Sequence, residues 1–266
     1  MATSGIVLAA DDYGIAPGVG CAIRELLQRG RLTATSCMVV SPDFAAEAPA
    51  LGPYLDAADI GLHLTLTRDR TLGAVMLDAF ARRLDPKETA REVDRQLDLF
   101  ERAIGRPPAY IDGHQHVHLL PVVRDAVVAA AARLGAYLRV TDEPLWRIRR
   151  TGVATGKAAF LSLLARPLAR EAARRSVARN RGFRGVRRFT EPGPFRDLFR
   201  RMVAGAPAGT VVMCHPGHAD DALRARDAVV ESREAEYRYL AGDDFPDDLA
   251  AAGLRLARLK DALAAA

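Results

Sequence analysis

Val7-Leu8-Ala9-Ala10-Asp11-Asp12-Tyr13-Gly14 is the stretch that decides the fold. Ile6 to Ala10 is an apolar run of strand length, the pattern of a strand covered on both faces. Asp11 and Asp12 arrive where that strand ends, and Gly14 and Pro17 mark a turn before the next segment. Two carboxylates at the mouth of a buried strand are costly to desolvate without a compensating positive charge. A metal ion supplies such a charge. The alternative is that one acid caps the next helix while the other faces water.

Outward from this strand, helix-like and strand-like segments alternate. Gly18 to Gln28 is helical, with Ala22, Ile23, Leu26 and Leu27 on one face; Leu32 to Val40 is β-rich; a short helix spans Phe44 to Leu51. Ile60 to Thr67 alternates like a strand. Pro86 to Ile104 is an amphipathic helix with Val93, Leu97, Phe100 and Ile104 as its stripe, Asp85 as its cap, and Gly105, Pro107 and Pro108 as its stop. Ala109 to Ile111 is a brief strand running into Asp112-Gly113-His114-Gln115-His116-Val117-His118. Further helices are expected over Pro121 to Leu134, Ala158 to Ala178, Phe195 to Val203, Glu231 to Leu240 and Leu259 to Ala266, and further strands over Tyr137 to Val140, Thr210 to Cys214 and Leu254 to Leu256. About seven strand–helix units with short connections mean a parallel sheet. The fold class is α/β, a distorted (β/α) TIM-like barrel of parallel strands in a single domain over 1–266. No GxGxxG follows the first strand, which argues against a dinucleotide site.

Composition sets bounds on partners. With 49% apolar and 27% charged residues the chain is an ordinary globular protein, and a net charge of +5 does not demand nucleic acid. Cys21, Cys37 and Cys214 are odd in number and lack C-x-x-C spacing, so they read as core thiols of a reducing compartment. No run approaches the roughly 18 apolar residues of a membrane span. A cytoplasmic location is the expectation, and a homodimer is the base-rate one.

All six histidines fall at expected strand ends: His63, His114, His116, His118, His215 and His218. His114, His116 and His118 are spaced by two, so in an extended segment they point to one side. Imidazoles and a carboxylate converging on one face with Asp11 and Asp12 make a hydrolytic metal site with open positions. The second carboxylate is then available as a general base.

These residues resemble a known family. Ala10-Asp11-Asp12-Tyr13-Gly14, Gly61-Leu62-His63, Asp112 through His118, and Met213-Cys214-His215-Pro216 are similar to the four signature blocks of the YdjC-like (ChbG) carbohydrate deacetylases, in the same order, from about residue 5 to residue 260. The resemblance implies a distorted barrel, a divalent metal ion, and hydrolysis of an N-acetyl group on an amino sugar. It implies Asp12, His63 and His114 as metal ligands, Asp11 as general base and His215 as the acid that protonates the departing amine. Which of the two adjacent aspartates binds the ion stays open. Relatives are described with magnesium, whereas histidine ligands favour zinc. Asp112 is expected to orient an imidazole, and His116 and His118 to line the pocket.

Residues 146–189 break the rhythm with twelve arginines and read as an arginine-rich insertion. It is a solvated helix, a recruiter of an anionic substrate such as a phosphorylated or lipid-linked sugar, or a membrane-surface element, since Phe160, Leu161, Leu163, Leu164 and Leu168 sit among the arginines. Arg139 is a candidate substrate contact, with a surface ion pair as the alternative. Trp146 is a candidate sugar-stacking residue, with core packing as the alternative. Two other functions compete with the deacetylase: a metal-dependent hydrolase of phosphoesters or cyclic amides, and a basic anion-binding protein.

Overall fold

Eight parallel strands form a single curled sheet: β1 (Ser4–Tyr13), β2 (Ala34–Cys37), β3 (Asp59–Leu64), β4 (Tyr110–Gly113), β5 (Tyr137–Leu138), β6 (Gly182–Arg184), β7 (Thr210–Cys214) and β8 (Leu254–Leu256). The structure, a computed structural model, describes residues 3–190 and 193–264. The strand order is β5-β4-β3-β2-β1-β7-β6, with β8 pairing with the N-terminal end of β1. The two edges approach each other. Leu138 bridges Arg179 just before β6, and the Asn180 side chain both accepts from the Val140 N–H (2.7 Å) and donates to the Val140 carbonyl (2.8 Å). The sheet is a distorted (β/α) barrel closed at that seam by a single backbone bridge and the Asn180 side chain.

The central strand is β1. Ile6, Val7, Leu8 and Ala10 are fully buried, and β2, β7 and β8 all pair with it. The helix Pro86–Ile104 has its expected bounds. Asp85 accepts from the N–H groups of Lys87 and Glu88 at 2.8 and 2.9 Å, and Gly105 ends the helix at φ 83°. The helix Phe195–Val203 and strand β7 also fall where the sequence places them.

Several segments differ. Leu32 to Val40 contracts to β2, Tyr137 to Val140 to β5, and the end of the last expected helix, 265–266, lies outside the described residues. The helix Leu72–Phe80 is not foreseen, because Leu-Gly-Ala-Val-Met-Leu is apolar with no clear period; Thr71 caps it through Ala74 N–H. The helices Leu145–Thr151, Asp221–Arg226 and Asp244–Ala251 are also unforeseen. The arginine-rich segment 146–189 is no appendage. The helix Thr155–Arg174 buries Leu161, Ala165, Leu168 and Ala172, and β6 pairs with β7 in the sheet. That strand escapes a hydrophobicity reading because Arg184 is buried in it, paired with Glu143 at 2.7 Å.

Gly61 shows how tightly β3 is packed. A Cβ there meets the Tyr110 ring at 2.5 Å, and Tyr110 is itself stacked on Tyr137. Gly61→Ala should destabilise the fold by about 1–3 kcal/mol through overpacking, read as a lowered denaturant midpoint with unchanged slope. A midpoint equal to the parent's means that Tyr110 yields freely.

Candidate active site

The carboxylates of Asp11 and Asp12 share one mouth because β1 is bulged. Ala10 pairs with Thr35 and Tyr13 with Cys37, so Asp11 and Asp12 together oppose Ser36. Asp12 takes a left-handed backbone at φ 70°, which an aspartate tolerates better than most residues. In an unbroken strand adjacent side chains point to opposite faces. The bulge lets both turn toward the C-terminal mouth of the barrel, the end where barrel enzymes carry their chemistry.

Asp12 Oδ1 faces His114 Nδ1 at 3.0 Å and His63 Nε2 at 3.3 Å, while Oδ2 accepts from Arg233 at 2.6 Å. Burial alone would raise the Asp12 pKa; Arg233 and the two imidazoles outweigh it and hold the carboxyl well below its usual range. His63 Nδ1 lies 2.6 Å from Asp112 Oδ1, and its bond partners assign the Nδ1 proton to that carboxylate. Nε2 is thereby left as the atom presented to Asp12. Burial opposes a charge on His63, but Asp112, Asp11 and Asp12 outweigh it and raise its pKa to about 10.

The cluster asks for a cation. Among the described residues, Asp11, Asp12 and Asp112 pair with Arg139 and Arg233 as fixed positive partners, and the excess negative charge favours a proton on His63. Asp12, His63 and His114 each offer a ligand atom, all within 4.8 Å of one another. Their 3.0 and 3.3 Å separations approach the roughly 3.4 Å between ligands about 2.1 Å from a tetrahedral ion. Two imidazoles and one carboxylate are a fitting donor set for a zinc-like ion with open positions.

Arg139 is 1% exposed and is not part of the cavity lining. Its Nη1 donates to Asp11 Oδ1 at 2.5 Å and pairs with Asp112 Oδ2 at 2.9 Å, so it fixes both carboxylates. The expected substrate contact is therefore a positioning residue. Arg139→Met should cost about 3–5 kcal/mol, because it strands two buried carboxylates, with part recovered by Arg139→Lys. Urea unfolding checks this; equal stability of Met and parent contradicts the pairing.

His215 follows β7, with its Nε2 3.9 Å from Asp11 Oδ2. Its backbone N–H donates to Glu236 Oε2 at 2.6 Å, Glu236 Oε1 accepts twice from Arg187, and Phe189 meets the imidazole edge-on. Burial pushes the His215 pKa down to about 4, so the resting ring is neutral.

A cavity of about 440 Å³ opens above these groups. Asp11, Asp12, His63, His114, His215 and Arg233 reach it, as does His116. Much of the wall is apolar, with Leu72 and Met76 from one helix, Phe160, Leu161 and Leu164 from another, and Leu120 and Phe189; Lys157 and Arg187 line it as well. The alternating histidines do not share a side. After β4 the chain turns into a 3₁₀ segment, His114–Leu119, with Gln115 and His116 left-handed at φ 52° and 62°. His118 is buried, bonded through Nε2 to the Arg139 carbonyl at 2.9 Å, and is not part of the lining. Trp146 is 60% exposed, carries the Arg147 guanidinium at 5.0 Å, and also stands outside the cavity lining.

Arg233, Glu236 and Ser36 have no counterpart in the sequence reading, and Arg187 figures there only as one of the twelve arginines of 146–189. One signal was available. The helix Glu231–Ala241 buries Arg233 and Glu236 alongside Tyr239 and Leu240. Its inward face therefore carries charge where an ordinary helix shows an apolar stripe.

A family model described as YdjC-like protein matches residues 5–251. The chain is 28% identical over 272 residues to the chitooligosaccharide deacetylase of Yersinia pestis (strain Pestoides F), across 96% of this chain and 98% of that one. Among solved structures, a protein of Enterococcus faecalis described as a candidate cellobiose-phosphate cleavage protein superposes with a TM-score of 0.72 at 20% identity, covering 98% of this chain and 99% of that one. A family 4 acetyl xylan esterase of Clostridium thermocellum, solved with a cobalt ion, superposes at 0.52 with 10% identity, covering 97% and 90%. These two likenesses show a shared fold. Among the described residues, no helix is long and apolar enough to cross a membrane.

Proposed function

The chain belongs to the YdjC-like family, and on that premise we propose that it is a single-domain, metal-dependent hydrolase that removes the N-acetyl group from an amino sugar. The observation that carries the reading is the convergence of Asp12, His63 and His114 beside a second carboxylate, Asp11, and an imidazole, His215, at one cavity floor. The name of the Yersinia relative supports an acetylated glucosamine oligomer as the substrate class.

Asp12, His63 and His114 hold the divalent ion, which polarises the acetyl carbonyl and makes water a nucleophile near neutral pH when bound. Zinc fits the two imidazoles better than magnesium does. Asp11 is the general base. Arg139 occupies its Oδ1, leaving Oδ2 toward His63 and His215. An amide nitrogen leaves only as a protonated amine, so a donor is required. His215 is neutral at rest, so its ring must first gain a proton before it can act as the acid. The proton that Asp11 takes from water therefore has His215 as its outlet, and His215 delivers it to the amine nitrogen. Water and amide become acetate and a protonated amine.

The apolar walls bear on the rest of the substrate. Leu72, Met76, Phe160 and Leu164 suit a sugar with an apolar or lipid-linked substituent.

The test is acetate release, with loss of one acetyl mass, from acetylated glucosamine oligomers and from a glucosamine N-acetylated on a lipid or aryl glycoside. Activity should vanish on chelation and return with added zinc. Full activity in the chelated, metal-free protein would sink the reading.

A further inference from the structure

A second cluster of metal-binding side chains lies outside the cavity. Cys21 and Glu25 stand one turn apart on the helix Pro17–Gln28, and His218 comes from the loop after β7. Cys21 Sγ donates to Glu25 Oε1 at 3.4 Å, and His218 Nε2 lies 3.3 Å from Glu25 Oε2. One ligand atom from each of the three falls within 4.8 Å of the others. None of the three lines the catalytic cavity.

We propose that Cys21, Glu25 and His218 bind a transition-metal ion of the zinc class at the surface, independently of the deacetylase reading. Sulfur, imidazole and carboxylate are the donors that zinc-like ions select over magnesium or calcium. A Cys-x-x-x-Glu pair on one helix face presents two ligands on the same side, as any i, i+4 pair does. Cys21 approaches one Glu25 oxygen and His218 the other, at 3.4 and 3.3 Å, so the carboxylate stands between the sulfur and the imidazole, and one ligand atom from each lies within the 4.8 Å that a shared ion can gather. Outer support is present as well. The Tyr237 hydroxyl donates to Glu25, and the Tyr237 ring meets the His218 ring edge-on at 4.2 Å, which orients both ligands. His218 and Glu25 side chains are 34% and 38% exposed, so an ion has an entry path and a solvent position for its fourth ligand.

The place in the fold gives the site a consequence. His218 lies three residues beyond His215, and the intervening loop is already tied to the same helix. His218 N–H donates to the Gly18 carbonyl at 3.2 Å, and Gly18 N–H donates to Asp220 at 2.6 Å. An ion here clamps the His215 loop to the helix from the outside, away from the reacting atoms.

Cobalt titration of the metal-depleted full-length chain tests this. The parent should take up a second equivalent of Co²⁺ and develop thiolate-to-cobalt charge-transfer absorption. Cys21→Ser should keep the first equivalent, lose that absorption, and bind the second more weakly by at least the roughly 10–100-fold that an outer-sphere loss costs. His218→Ala should weaken the same equivalent, and the added thermal protection by Zn²⁺ should shrink in both. His114→Ala should remove the other equivalent and leave the thiolate band intact, so failure of the catalytic reading is distinguishable from failure of this one. A parent with no thiolate band, or a band that survives Cys21→Ser, overturns the proposal.

Discussion

Asp11→Asn should lower kcat/KM for acetate release by about 10²–10⁴-fold, the range that a positioned general base contributes. The substitution is nearly isosteric. Asn keeps an oxygen for Arg139 and Ser36, which now meet Asp11 Oδ1 at 2.5 and 3.4 Å. It loses the proton-accepting Oδ2 that faces His215. Arg139 retains Asp112 as a partner, so no guanidinium is stranded in the core. The ion site itself is untouched, since Asp12, His63 and His114 supply its ligands. The informative result is therefore a split: metal content and unfolding midpoint close to the parent's, and turnover nearly gone. Activity within about tenfold of the parent would mean that another group takes the proton. A matching loss of bound metal would mean that the roles of the two adjacent aspartates are exchanged, an ambiguity that sequence alone leaves open.

That ambiguity shows where the sequence stops being legible. The apolar core of β1, the capped helix Pro86–Ile104 and the polar clusters at strand ends are all readable, because burial on both faces, a 3.6-residue period and chain-breaking Gly and Pro leave marks in composition. The parallel barrel follows from those marks. The bulge at Asp11 and Asp12 leaves none. It arises from the register between β1 and β2, a property of two segments at once. The same holds after β4, where a period of two suggested three histidines on one side. The left-handed Gln115 and His116 redirect them: His114 to Asp12, His116 to the cavity and His118 to the backbone of Arg139. Gly113 makes that sharp turn possible, since a Cβ there meets the His118 backbone nitrogen at 2.9 Å. Buried arginines are the other blind spot. Arg139 and Arg233 look like surface charge in a linear reading, yet each is at most 2% exposed and each holds a site aspartate.

Removing ligands should separate the ion from its supporting shell. His114→Ala deletes a ligand whose side chain is 21% exposed, so the fold has little reason to fail. The expected result is loss of the bound ion and of acetate release together. Asp112→Asn removes no proposed ligand. It weakens the bond that holds the His63 Nδ1 proton and so loosens the aim of Nε2. Outer partners of this kind are worth about 10–100-fold in metal affinity. Asp112→Asn should therefore be rescued by raised zinc concentration, whereas His114→Ala should not be rescued at any concentration that leaves the protein soluble. His63→Ala should resemble His114→Ala in activity but unfold earlier, because it leaves Asp112 without its imidazole partner in a fully buried position. Isothermal titration with zinc, alongside acetate release, reads all three. Equal zinc affinity in His114→Ala and the parent would remove His114 from the ligand set. The ion would then rest on Asp12 and His63 with another donor, or on the second grouping around His63, Asp11 and Asp112.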